Sequence, residues 1–225
     1  RLTERTALSL RAEAAHDSSI SDDRMAVREG FLDWTPAPNL DVELGRQVLT
    51  WGVSDYLYVN DIFPKNYDAF FTGGGFDRMK EPVDAARLAW HGTVVDVETI
   101  VSRARADRTP SPARFSATTM LASAASADAA DDDLDAAVKV STHLQGWDLA
   151  AYAASFRSRE QRHFMAASGL RSDRPRLNHL GASLTGNAAA GVVWLEGAVR
   201  HAGETQRNAV SRHFLGSSAK LIVGY

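Results

Sequence analysis

Several short constellations in this 225-residue chain place ligating or nucleophilic side chains at chemically meaningful spacing. Asp131-Asp-Asp-Leu-Asp135 has the DDxxD spacing that holds magnesium in prenyl-transfer enzymes. No second acidic motif accompanies it, and carboxylates at a solvated helix N-terminus, where the macrodipole favours them, give the same pattern. Glu13-x-x-His16 and Glu160-x-x-His163 carry the i, i+3 pairing of di-iron bundles. Such a site needs bridging glutamates from two further long helices. Glu98 and Glu196 are available, but Gly and Pro punctuation divides the chain into shorter pieces. Ser217-Ser-Ala-Lys220 has the S-x-x-K spacing of penicillin-binding serine enzymes, without their partner motifs after it. Thr72-Gly-Gly-Gly75 follows the apolar run Tyr67–Phe71. A glycine turn at the carboxyl end of a buried strand lies where open α/β sheets bind ligands, and it also serves as a plain tight turn.

Composition bounds the chemistry. There is no cysteine, so disulfides, thiolate metal sites and cysteine nucleophiles are excluded. Net charge is −3 and the pI is about 6.2, with no basic excess to follow a phosphate backbone. The arginines at 103, 105 and 108 and at 171, 174 and 176 read as solvated helix ends or loops. No apolar run approaches the roughly 18 residues of a membrane helix. The start, Arg1-Leu-Thr-Glu-Arg5, lacks a signal-peptide core. These features give the expectation of a cytoplasmic protein with no membrane and no nucleic-acid partner. A start without Met and a stop on the apolar Leu221–Tyr225 read as a piece of a longer chain.

The elements that would position these residues read as α/β. Residues 1–24 are expected to be an extension, a polar helix over Thr3–His16 and a loop, outside a single domain at 25–225. Strands are expected at Met25–Leu32, Tyr67–Phe71 and Leu180–Thr185, with a short β-like stretch at Asp55–Asn60. Helices are expected at Leu40–Leu49, Glu81–Trp90, Val94–Ala106, Phe115–Ala130, Asn187–His201 and Glu204–Leu215. Leu134–His143 and Trp147–Phe156 fit a strand pair or a helix pair. Strands alternating with helices predict a parallel, flavodoxin-like sheet with helices on both faces.

Four segments in order resemble the ThiJ/PfpI superfamily, the class I glutamine-amidotransferase-like fold, in its isonitrile hydratase and GlxA-type regulator branch. They are Met25–Leu32 with Leu40-Asp41, then Tyr67-Asp-Ala-Phe-Phe-Thr-Gly-Gly74, then Val140-Ser-Thr-His143, then Gly181–Gly191. Thr72 stands where that family has proline. The stretch after Leu49 is short for it, and 78–112 and 122–134 are long. The family's cysteine at a strand-to-helix elbow falls on Ser116 or Phe115. The resemblance implies a catalytic set of Asp41, Ser116 and His143. It also implies ligand contacts from Gly73, Gly74, Thr185 and Gly186. No metal and no cofactor are implied. Each residue has a structural alternative: Asp41 as a helix cap, Ser116 as a packing residue, the glycines and Thr185 as turn formers. Without the thiolate, the implied function is a catalytically silent, ligand-sensing or dimerising domain with a small-molecule ligand and a homodimer partner. The alternatives are a weak hydratase or hydrolase using Ser116 and Asp41, and an unrelated α/β domain.

Overall fold

The computed structural model describes residues 5–17, 22–53, 57–71, 75–108, 133–160, 162–166, 169–188, 191–202 and 217–225. It is built almost entirely from antiparallel strands. The order is β1 (Arg5–Asp17), β2 (Asp22–Ala37), β3 (Leu40–Gln47), α1 (Tyr67–Phe71), α2 (Phe76–Met79), β4 (Val83–His91) and β5 (Asp96–Arg103). Then follow β6 (Leu134–Leu144), β7 (Trp147–Arg157), β8 (Arg162–Ala166), β9 (Gly169–Asp173), β10 (Arg176–Ala188), β11 (Gly191–Ala202) and β12 (Ser217–Gly224). Ten of them form one meander, β1-β2-β3-β4-β5-β6-β7-β10-β11-β12, and β8 and β9 form a separate hairpin. Every pairing in the large sheet is antiparallel.

The expected parallel α/β sheet is therefore corrected. The expected helices at Leu40–Leu49, Glu81–Trp90, Val94–Ala106 and Asn187–His201 are mainly strands β3, β4, β5 and β11, and the N-terminal helix is strand β1, paired to β2. The expected strand Tyr67–Phe71 is instead the short helix α1. Phe115–Ala130 and Glu204–Leu215 lie outside the described residues. Leu134–His143 and Trp147–Phe156 are the strand pair. Period 2 wins over period 3.6 here. In β7, the same-face positions Trp147, Leu149, Ala151 and Ala153 alternate with Asp148, Ala150, Tyr152 and Ala154 on the other face.

The two ends of the sheet differ. At one end the connections are two to four residues: 38–39, 92–95, 145–146 and 189–190. Gln145 (φ 52) and Gly146 (φ 83) both take positive φ, as a two-residue type I′ hairpin requires. The other end carries the short link 18–21 and four long ones, 48–82, 104–133, 158–175 and 203–216.

The described residues of the 48–82 connection do not extend away from the sheet. They lie against one of its faces, called here the inner face. The hydrophobic core is this contact: Leu49, Trp51, Ile62 and Phe63 of the segment meet Val83, Ile100, Ala137, Tyr152 and Phe156 of the strands. The opposite, outer face has no covering layer among the described residues.

Candidate functional site

The inner face is rich in charge and hydrogen-bonding groups, and register explains how. Arg87 on β4 stands between Glu43 on β3 and Glu98 on β5, donating to them at 2.5 and 3.0 Å. Lys139 on β6 approaches Glu98 at 3.7 Å. Glu98 also accepts the indole N–H of Trp51 at 2.5 Å, which ties the inner segment to this rung. Towards the short-turn end, Asp41 accepts from Thr35 at 2.7 Å and meets His91 Nε2 at 3.1 Å, while His91 Nδ1 lies 3.3 Å from Asp96.

Wall side chains hold the backbone of the inner segment. Glu196 on β11, fully buried, accepts the Asn60 N–H at 2.8 Å and the Val53 N–H at 3.3 Å. Arg200 donates to the carbonyls of Tyr58 and Val59 at 3.4 and 2.8 Å. Asn60 donates from Nδ2 to the Ala182 carbonyl, and its Oδ1 lies 3.1 Å from His179 Nε2. Arg159 donates to the carbonyl of Ile62, and Arg28 to those of Asp77 and Lys80. An irregular segment inside a fold must satisfy its peptide groups somewhere, and here the strands supply charged partners. Two glycines make room. Gly52 (φ 87) has its Cβ direction 2.5 Å from Glu196 Oε1, and a Cβ on Gly181 would sit 1.8 Å from Asn60 Oδ1.

Between the segment and the strands, towards the long-connection end, lies a cavity of about 940 Å³. Its lining includes Tyr58, Lys65, Tyr67, Phe156, Arg159 and Arg200. Buried Lys65 pairs with Asp61 at 2.8 Å and stands 4.6 Å over the Tyr58 ring. Burial lowers the Lys65 ammonium pKa from its ordinary value, against the pull of Asp61. Burial raises the carboxyl of Asp107 and pushes the Tyr67 phenol up to about 12.

The residues expected to form a site are scattered over this framework. Asp41 lies on β3 with Thr35 and His91 as its partners. His143 lies near the end of β6 and bonds Asp148 at 2.8 Å. Asp41 and His143 thus have separate partners on strands three apart in the sheet order. Thr185 is on β10, its hydroxyl buried without a hydrogen-bond partner among the described residues. Gly186, next to it, faces the opposite way, under the ring of Trp147. Ser116, Gly73 and Gly74 lie outside the described residues. Asp41, expected to open a helix, is the second residue of strand β3, because the sheet is antiparallel and has no strand-to-helix crossover there.

The spaced pairs change meaning on strands. Glu13 and His16, and likewise Ser217 and Lys220, are three residues apart within β1 and β12, so each pair points to opposite faces. Glu13 instead meets Arg28 and Arg78 at 3.8 and 3.2 Å. Asp135 is buried, accepts the Arg157 N–H and pairs with Arg159 at 2.8 Å. Among the described residues no cluster of three or more His, Asp or Glu side chains could hold a metal ion. Sequence reasoning missed Arg200 and Asn60, and offered Glu196 only as a bridging ligand for a di-iron site. The signal for Glu196 and Arg200 was their alternation in β11 with apolar Leu195 and Val199; Asn60, between β3 and β4, had none.

No known protein family, curated protein or solved structure matches the chain.

Proposed function

We propose that this chain forms part of the wall of a membrane-spanning β-barrel pore, with residues 48–82 folded inward as its constriction. One observation carries the reading: the composition of the outer face. Its exposed positions are apolar across the sheet, among them Leu8, Leu32, Leu44, Leu88, Leu180 and Leu221. At the short-turn end this band is edged by Trp34, Trp90, Trp147 and Tyr225. At the other it is edged by Arg46 paired with Asp84, by Arg103, and by Arg157 paired with Arg176. Aromatic girdles, a lipid-facing apolar band, a polar interior, short turns at one end and long loops at the other are the marks of outer-membrane barrels.

The dimensions agree. From Trp147 to Arg157 the strand β7 rises about 33 Å, which at a tilt near 40° covers roughly 25 Å of membrane normal, the height of such a band. No helix among the described residues is long and apolar enough to cross a membrane. Strands need no 18-residue apolar run, because only alternate side chains meet lipid. A membrane location therefore replaces the expected cytoplasmic one as the proposal. In a bilayer the outer edges of β1 and β12, which end the sheet order, must be paired, since lipid offers no hydrogen bonds.

The test is reconstitution. The protein, folded in detergent and added to planar bilayers, is expected to insert and conduct, and to resist extraction of its liposomes by alkaline carbonate. A protein that is monodisperse in detergent-free buffer and leaves bilayers silent refutes the proposal.

A further inference from the structure

The geometry points to the 940 Å³ cavity as a binding site for a small carboxylate with an apolar or aromatic body, an inference that deepens the pore reading by naming the solute class of its interior. The anchor is Arg200. Its guanidinium donates only to neutral acceptors: Nε to His179 Nδ1 at 3.3 Å, and Nη2 to the carbonyls of Tyr58 and Val59. Among the described residues no carboxylate stands within ion-pair distance of it. The half-buried guanidinium is thus held by neutral acceptors, with Glu160, Asp61 and Asp107 acting on it only from beyond ion-pair distance, and its Nη1 makes no hydrogen bond to a described residue. A carboxylate oxygen, as a charged acceptor, is the partner that suits the open Nη1.

The surroundings supply the rest. The Arg159 guanidinium stands 5.2 Å from the Phe156 ring centroid and that of Arg200 stands 5.9 Å from it, so two cations converge on one aromatic ring. Arg159 is already neutralised by Asp135. Lys220, on the exposed inner side of β12, adds a further cation to the lining. Against these stand Asp61, occupied by Lys65, with Asp107 and Glu160. Asp107 accepts the Lys65 N–H, and burial favours its neutral form. That leaves Glu160 as the exposed lining carboxylate, without an ion-pair partner among the described residues. Tyr58, Leu57, Leu177 and Phe156 offer the surface for an apolar body.

The test is calorimetric titration of the protein in non-ionic detergent with benzoate, acetate and benzylammonium. Benzoate is expected to bind at least about tenfold more tightly than acetate, and benzylammonium not to bind. Lys220→Gln should weaken benzoate roughly threefold and Glu160→Gln should strengthen it by about the same factor, neither residue holding the inner segment in place. Arg200→Met should abolish binding, and circular dichroism reports whether that variant keeps its sheet. Equal benzoate affinity in wild type, Lys220→Gln and Glu160→Gln, or benzylammonium binding as well as benzoate, overturns the inference. A protein that conducts but ignores benzoate refutes only this site. One that binds benzoate but stays out of lipid refutes the pore and leaves the site standing.

Discussion

Replacing Ala151 by arginine separates a lipid-facing wall from a water-facing one. Ala151 is exposed on the outer face of β7, four residues from Trp147 and six from Arg157. Those steps correspond to about 13 and 20 Å along the strand, or about 10 and 15 Å of depth at a 40° tilt, which sets Ala151 near the middle of the apolar band. The site has room. Its neighbours Ala182, Leu149 and Leu184 line a shallow outer depression of about 860 Å³, so a larger side chain meets no clash. In a bilayer an arginine at that depth costs about 2–4 kcal/mol, roughly a 30- to 1,000-fold drop in the folded-to-unfolded ratio. In water an exposed surface change of this kind stays within about 0.5 kcal/mol. Leu144→Arg, beside the turn at Gln145-Gly146, is the depth control and should cost about 0–1 kcal/mol in lipid. The assay is reversible guanidinium unfolding in phosphatidylcholine liposomes, followed by tryptophan fluorescence. Equal, sub-kilocalorie losses for Ala151→Arg and Leu144→Arg would show that the outer face does not meet lipid.

Other perturbations test the inner face. Glu196→Ala removes the acceptor of the Asn60 and Val53 N–H groups; it should cost about 2–3 kcal/mol and raise single-channel conductance as residues 48–82 come loose. Gly181→Ala, whose new Cβ would collide with Asn60 Oδ1, should do the same, and unchanged conductance in both variants would count against the segment as the constriction. Asp107 has a carboxyl raised by burial, so between its unfolded and folded pKa the native state binds the extra proton. Its ionisation therefore lowers stability as pH rises above about 4. Asp107→Asn should leave stability unchanged at pH 3.5 and increase it at pH 7, as read from guanidinium midpoints. Tyr67, at about 12, stays protonated in the fold after an unfolded tyrosine ionises near 10. Stability should then fall between pH 10 and 12, and Tyr67→Phe should remove that part of the slope and its share of the 295 nm phenolate absorbance.

How much was legible in the sequence can be read from particular stretches. Met25–Leu32 shows as a strand because Met25, Val27 and Phe31 are apolar around charged Arg28 and Glu29, yet it is only part of β2. Asn187–His201 was readable either way. Val192, Val193, Leu195 and Val199 fit a helical face, but Leu195, Gly197 and Val199 also share one face of β11, with Glu196 and Ala198 on the other. The strands of this sheet carry alanine on both faces, as in Leu149-Ala-Ala-Tyr-Ala-Ala154, which flattens the alternation that identifies a strand. An outer face with no layer packed on it among the described residues tolerates that ambiguity.

By itself the sequence determined the absence of thiol chemistry, the lack of a basic surface and the lack of a long apolar helix, because each depends on which residues are present and not on where they go. It also carried the residue types of both faces. Only the tertiary structure decided which residues share a face, because antiparallel register brings Glu43 and Arg87, and in the next row Glu98 and Lys139, together on the inner face, and Trp34, Trp90 and Trp147 to one outer rim, from strands far apart in the chain. It also decided that the segment around Tyr58–Asn60 turns inward, where Glu196 and Arg200, more than a hundred residues away, hold its backbone.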